Sequence, residues 1–493
     1  MDGQAVKRVV IAGGGTAGWL AAAALSRHLG PLLDITLVES DEIGTVGVGE
    51  STIPTARTFH KLLGIDERAF MRATQASFKL GISFEDWARQ GDRYFHSFGQ
   101  IGTSHWMGDF HHLWLEAKRQ GFGGSLGDYC FELQAGEAGK FETFEKADIN
   151  YAYHLDATAY ARYLRGLTEA AGTRRVEGKI AEVRQDPDSG FITSLVLESG
   201  AVVKGDLFID CTGFRGLLIE QALKTGYEDW SHWLLTDSAL ALQTSSVEPA
   251  RPYTRAMAHK AGWQWRIPLQ HRVGNGLVYC SDHMSDDEAH ALLMAQVQGD
   301  VLTNPRVIRF RAGGRRKTWN GNCVSLGLSS GFIEPLESTS IHLIMIGVTR
   351  LIQMFPFGGV NDALVDHFND QSRRELEGIR DFIILHYHLT ERDDSDFWRR
   401  CRDMDVPDSL KQRIELFRES GFTYQAPDEL FRIDSWVQVM LGQRLEPRAY
   451  HHVGRLIPTE RARHALENLR TGIANAVAQM PQHQQFLDSY MRA

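Results

Sequence analysis

Short apolar runs dominate the first part of the chain, and a helical periodicity takes over toward its end. Val9 to Ala12 is an apolar run that breaks on glycines and resumes as the alanine-rich "WLAAAALSRHL", which predicts a buried strand, a tight turn and a helix. "DITLVES" predicts a second strand running to Glu39, "GDLFID" a third ending on Asp210, and the stretch from Cys323 a fourth. In "GWQWRIPL" the apolar positions alternate. Trp263 and Trp265 then share one face of a strand, because strand side chains repeat every two residues, and Pro268 ends the ladder by lacking a backbone donor. Core packing is the plain reading of that pair. From Gly358 onward the pattern is helical, with "VNDALVDHFNDQSRRELEGIRDFIILHY" its longest piece.

Length and charge narrow the classes. A chain of 493 residues exceeds the usual single domain. No repeat, low-complexity segment or Pro/Ser-rich linker separates its parts, so the helical end is expected to pack on the rest. Lys and Arg number 53 against 62 Asp and Glu, a net charge of −9 with no basic run, which argues against nucleic acid. The five cysteines stand singly, and His386, His388, His451 and His452 have no carboxylate or thiolate at ligand spacing, so neither disulfide framework nor metal is expected. The apolar run before the first glycines is too short for a signal-peptide core, and Ile341 to Phe355, the longest apolar candidate, is interrupted by His342 and Arg350. The expectation is a reduced, cytoplasmic protein without a membrane span.

The most specific local chemistry is Gly13-Gly14-Gly15-Thr16-Ala17-Gly18, a G-x-G-x-x-G between a predicted strand and a predicted helix. Glycines there allow a tight turn and close approach to a pyrophosphate, and the helix start offers unpaired N–H groups. Glu39, twenty-one residues beyond Gly18, stands where a carboxylate would meet a ribose hydroxyl. "GFGGSLG", Gly121 to Gly127, follows no strand and reads as loop. One fingerprint leaves no nicotinamide domain, so reducing equivalents arrive on the bound nucleotide. "VGVGESTIPT" spaces Gly47 and Gly49 for close backbone approach. Glu337-Ser338-Thr339-Ser340 reads as N-capping chemistry opening a helix, hence an anion site, or else Glu337 is an ordinary first-turn glutamate.

Taken together, "GGGTAGW", "GVGESTIPT", "FKLGISFEDW", "HSF", "DLFIDCTGFRG", "WQWRIP" and "EPLEST" resemble the flavin-dependent halogenases of the tryptophan halogenase type, and the likeness continues through "DFIILHYHLTERDDSDFW". The resemblance implies an α/β fold: an FAD-binding, monooxygenase-like domain with a mainly helical substrate-binding cap. Residues 1–350 would form the first, including substrate-wall segments at about 80–150, and residues 351–493 the second. It implies FAD, supplied as FADH2 by a separate flavin reductase, and chloride or bromide as co-substrate. Cofactor contacts would come from Gly13, Gly15, Thr16, Ala17, Gly18, Glu39, Gly49, Glu50, Ile180, Gly213, Leu328 and Ile341. Lys79 would hold hypohalous acid or carry the halogen as a haloamine, helped by desolvation among Phe78, Leu80 and Ile82. Glu337 would be the second catalytic residue, Thr339 and Ser340 the halide site, His96, Phe98 and Trp436 the substrate wall, and Trp263 with Trp265 the barrier between flavin and substrate. A homodimer is compatible with the family.

Departures from the family pattern bear on the substrate. The family commonly has glycine where Ser340 stands, which leaves chloride against bromide open. Tryptophan-specific members carry an adjacent tyrosine pair in a C-terminal segment; this chain has no Tyr-Tyr, and Ser435 to His452 offers Trp436 and Gln443 but no evident clamp. Free indole or a larger indole compound is therefore expected to be favoured over tryptophan. An aromatic hydroxylase, a tryptophan halogenase with an unrecognised clamp and a non-catalytic flavin protein are the competing readings. A hydroxylase would want a Gly-Asp pair where Ser329-Ser330-Gly331 stands, and a non-catalytic protein has no use for Lys79.

Overall fold

The structure, a computed structural model, describes residues 5–43, 50–144 and 149–492. Two compact units interleave along the chain: Met1–Ala76, Leu155–His232 and Arg309–Glu377 form the first, and Ser77–His154, Trp233–Ile308 and Gly378–Ala493 the second.

Unit one is built on a six-stranded sheet, ordered Trp319–Asn320, Cys323–Ser325, Leu207–Asp210, Arg8–Ala12, Asp34–Glu39, Arg174–Glu177. All neighbours pair in parallel except the first two. The short apolar runs form these strands because a parallel sheet is covered on both faces, so every position can be apolar. Val10, Ala12, Val38 and Phe208 pack with Ile192, Leu195 and Leu197 of a small antiparallel sheet. The helices Thr16–Leu29, Ala157–Ala170 and Ser340–Gln353 complete the unit's α/β architecture.

Unit two centres on a seven-stranded sheet: Arg306–Arg309, Ser238–Ser245, Arg272–Tyr279, Gly262–Pro268, Thr254–His259, Gly81–Glu85, Arg93–Ser97. Thr254–His259 pairs in parallel with Gly81–Glu85, while its other neighbour and the next pairs toward Ser238–Ser245 are antiparallel. The tryptophan strand is interior to this sheet, and Trp265 lies opposite Gly276. A Cβ at Gly276 would fall 1.9 Å from the Trp265 ring, so only glycine leaves space for that indole.

From Gly358 on, the regular elements among the described residues are all helical, beginning with Asp362–His388. No helix of the described residues is long and apolar enough to cross a membrane.

Candidate active site

The glycine loop of unit one sits at the carboxyl ends of its parallel strands, where open α/β sheets bind ligands. Gly13 takes φ +104°, and a Cβ there would lie 2.3 Å from the Cys211 carbonyl oxygen. Gly15 faces open space. It precedes the helix Thr16–Leu29 with no side-chain cap hydrogen bond, and the first turn, with Thr16, Ala17 and Gly18, holds no acidic residue. The first amides and the positive end of the helix are thus offered to a phosphate. Glu39 gives one oxygen to Arg175 at 2.6 Å, while the other lies over Gly14, 1.5 Å from where a Cβ would stand. Gly178, two residues before Ile180, donates its N–H to the Glu39 carbonyl at 2.8 Å.

Buried Asp210 fixes the neighbouring turn. It accepts the N–H groups of Thr212, Leu218 and Ile219 at 2.8–2.9 Å, which holds Gly213 at the strand end. Leu328 lies in the turn Gly327–Ser329, whose Ser329 hydroxyl donates to the Asp210 carbonyl at 2.5 Å. An uncapped helix start, a glycine loop and a carboxylate beside it fit a dinucleotide such as FAD. Gly49, also assigned to the cofactor, lies outside the described residues, as do Gly47 and Val46.

The segment around Glu337 differs from the N-cap expected for it. Glu337 ends a 3-10 turn, Pro335–Glu337, instead of opening the helix, and it is 1% exposed. Ser338 takes φ +61°, and Thr339 precedes Ser340–Gln353 with no side-chain cap hydrogen bond. Ser51 Oγ stands 2.5 Å from Ser338 Oγ, so the Ser338 hydroxyl is engaged by Ser51. The first amides of this helix, at Ser340 and Ile341, are left for another acceptor. Beside Ser51, burial and then Asp156 push the Glu50 carboxyl up to about 7.

One polar chain escaped the sequence reading. Thr55 Oγ1 is 3.0 Å from His342 Nδ1, His342 Nε2 is 3.2 Å from Glu375 Oε1, and Arg350 donates to Glu375 Oε2 at 2.9 Å. Burial opposes ionisation of Glu375, but His342 and Arg350 outweigh it and hold the carboxyl below its ordinary value. The signal available in the sequence was the pair His342 and Arg350 interrupting one apolar helix about two turns apart.

In unit two, Lys79 has no exposed surface, and its Nζ stands 5.2 Å from the Phe98 ring centre. His96 joins a second aromatic group: Phe382 at 5.5 Å, Phe431 at 6.2 Å, and Trp436 edge-on to Phe382 at 4.9 Å. Arg413 lies over Trp436 at 3.9 Å and binds both oxygens of Glu429. Phe382, Phe431, Arg413 and Glu429 were not foreseen. Gln443 is buried and donates to the His386 carbonyl at 2.5 Å, which places it in the core. Trp263 and Trp265 are both buried, 6.1 Å apart, and Trp263 also meets Trp87 at 6.4 Å. Among the described residues no group of three or more His, Cys, Asp or Glu is placed to hold a metal ion.

Comparison with known proteins decides the class. Residues 8–459 match the tryptophan halogenase family. This chain belongs to that family. It is 38% identical over 440 residues to a tryptophan 6-halogenase of Streptomyces toxytricini, covering 83% of this chain and 84% of that protein. Identity to a tryptophan 7-halogenase of Lentzea aerocolonigenes is also 38%, over 87% and 84% of the two chains. A flavin-dependent halogenase from Xanthomonas campestris superposes with a TM-score of 0.97 at 53% identity, covering 99% of each chain. One from Brevundimonas gives 0.95 at 44%, over 98% and 99%. The halogenase is therefore a flavin enzyme that uses FADH2 and halide.

Proposed function

We propose that this halogenase passes hypohalous acid through Lys79 to an electron-rich indole, and that free indole or a larger indole compound is preferred to free tryptophan. Bound reduced FAD, with dioxygen, supplies the oxidising power that converts halide into hypohalous acid; a separate flavin reductase supplies the reduced cofactor. The observation that carries the reading is Lys79 itself: a lysine with no exposed surface, against an aromatic ring, is costly to bury, which singles it out as a candidate for chemistry.

The other residues take complementary roles. Backbone amides at the start of Ser340–Gln353, with Thr339 and Ser340, hold the halide at the positive end of a helix. Lys79 presents the electrophile as a hydrogen-bonded hypohalous acid or as a haloamine. The halogen bonds to a ring carbon, Glu337 steadies the cationic ring and takes the displaced proton, and the oxygen leaves as water. Trp263 and Trp265 keep substrate from the flavin, so that it is halogenated and not hydroxylated. His96, Phe98 and Trp436 grip the flat ring.

Preference for an indole without charged groups is supported beside Trp436. The side chains of Arg413 and Glu429 are both buried there, and each pairs with the other. An amino-acid substrate needs partners for a carboxylate and an ammonium, and leaving either unpaired costs several kcal/mol. The curated relatives are named for tryptophan, which makes the comparison sharp. Indole and tryptophan in direct competition, with a reductase supplying reduced flavin and chloride and bromide in parallel, would be read by product mass. Halogenated indole, at C3, is expected to prevail; clean halogenation of tryptophan at one benzo-ring carbon would overturn the preference.

A further inference from the structure

The strand that carries Lys79 is only three residues long, Ser77–Lys79, so its own backbone ladder does little to hold a side chain in place. It pairs with Ala152–Leu155, setting Ser77 opposite His154 and Lys79 opposite Ala152. Ser77, Lys79, Ala152 and His154 therefore share one face. Ala152 leaves room for the lysine stem, and His154 stands diagonal to it.

The hydrogen bonds of His154 fix its proton. Its Nδ1 is 3.1 Å from Ser77 Oγ, and its Nε2 is 2.9 Å from Thr254 Oγ1. Ser77 Oγ is also 2.5 Å from the carbonyl oxygen of Pro268, the residue that closes the tryptophan strand. A carbonyl only accepts, so the single Ser77 proton goes to Pro268, and Ser77 accepts from Nδ1–H of His154, which also faces the Pro268 carbonyl itself. Nε2 is then bare, and Thr254 donates to it. Burial first, then Lys79 and His483, hold this imidazole well below the ordinary histidine range, outweighing the Pro268 carbonyl. A charged imidazole on the lysine's own face would repel its ammonium and break this directed chain.

We infer that His154 is a positioning residue for Lys79: through Ser77 and Pro268 it locks the lysine strand to the end of the tryptophan strand Gly262–Pro268, giving the amine one fixed place from which to deliver the electrophile. The inference rests on the delivery role proposed for Lys79. It also gives Pro268 a task, since its carbonyl terminates the chain of donors.

The test is a partition measurement with reduced flavin, dioxygen, bromide and indole, in which a soluble β-diketone traps hypobromous acid that escapes. His154→Leu removes the bonds to Ser77 and Thr254, Ser77→Ala removes the Ser77 bonds to His154 and Pro268 but leaves the one between His154 and Thr254, and His154→Asn retains a donor near Nδ1. In His154→Leu and Ser77→Ala, bromoindole per flavin oxidised is expected to fall about 10- to 100-fold, the cost of misplacing a reacting group. Trapped hypobromous acid should rise to match, and His154→Asn should recover much of the product. With Lys79→Ala as background, His154→Leu should add no further loss, because both act at one step. Loss of product without a rise in trapped acid, or losses that add to Lys79→Ala, would overturn the inference. Should His154→Leu fail to fold, Ser77→Ala and His154→Asn decide the matter alone. Normal product from Lys79→Ala would instead defeat the delivery role, a result distinct from normal product in the Ser77 and His154 variants.

Discussion

Ser51 Oγ and Ser338 Oγ lie 2.5 Å apart in the buried interior of unit one, so the strand Glu50–Ser51 is fastened to the turn that carries Glu337. The bond couples two segments 287 positions apart in the chain, just ahead of the first amides of Ser340–Gln353. Ser51→Ala leaves the Ser338 hydroxyl buried without that partner, a loss worth roughly 1 kcal/mol. The apparent KM for bromide should rise several-fold while FAD binding, followed by flavin fluorescence, is unchanged. Equal bromide KM in the two proteins would detach this bond from the proposed halide site.

Glu337→Gln preserves shape and removes the carboxylate. Being 1% exposed, the native side chain is shielded from water, and away from water a charge acts more strongly. Halogenation is expected to slow by about 10- to 1,000-fold, the range for losing one acid/base or charge-stabilising group. An unchanged rate would make Glu337 a purely structural part of its turn.

How much of this was legible in the sequence depends on how local each signal is. The strands Arg8–Ala12 and Asp34–Glu39 and the helix Thr16–Leu29 follow from short apolar runs punctuated by glycine, and the structure has them at the expected places. The shared face of Trp263 and Trp265 follows from period two alone. The turn at Glu337 was hidden because a serine at φ +61° runs against its own propensity, and its hydroxyl partner Ser51 is far away in sequence. Phe382 and Phe431 stack at 3.7 Å, and with Arg413 and Glu429 they sit on the helices and loops after Gly378, where an aromatic or a charge looks the same whether it faces core or ligand. The interleaving of the two units was equally hidden, since it is set by strand pairing between distant segments.

Lys79→Ala should bind flavin and consume oxygen while its halogenated product falls by about 100-fold or more, as expected for loss of a nucleophilic or proton-donating group. Product analysis beside oxygen-electrode traces separates the two quantities. Near-normal yield would remove Lys79 from the chemistry despite its burial.

Gly276→Ala tests the barrier proposed for the tryptophan strand. The new methyl would stand 1.9 Å from Trp265, and rigid neighbouring strands leave it little room to shift. Overpacking of this kind costs about 1–3 kcal/mol, so a lowered Tm is expected together with more hydroxylated or unhalogenated product as Trp265 is displaced. A variant with wild-type Tm and wild-type product would show that this indole moves freely.

Acid should destabilise the halogenase through its buried histidines. His483 is fully buried, donates from Nδ1 to the Ala250 carbonyl at 2.7 Å and accepts at Nε2 from the Phe78 N–H at 3.3 Å; burial pushes its imidazole down to about 4. His112 is lowered to about 3 by burial and then by His111 and His451. The unfolded chain takes up these protons near pH 6.5, whereas the folded chain resists until far lower, so the unfolded state holds more protons in between. Stability from these groups is therefore complete above pH 6.5 and falls as pH drops toward 4, by up to about 1.4 kcal/mol per pH unit for each histidine. Glu50 works in the opposite sense: with its carboxyl raised to about 7, the folded state binds that proton first, and acidification from 7 to 4.5 favours folding. Burial also raises the Asp434 carboxyl, but seven described histidines are lowered against these two carboxyls, so the net slope is a loss in acid. His483→Gln, which keeps a donor and an acceptor but does not titrate, should show a smaller fall in Tm between pH 8 and pH 5 than the native enzyme, whatever its Tm at pH 8. Parallel Tm profiles for the two proteins would mean that His483 does not contribute to the acid limb.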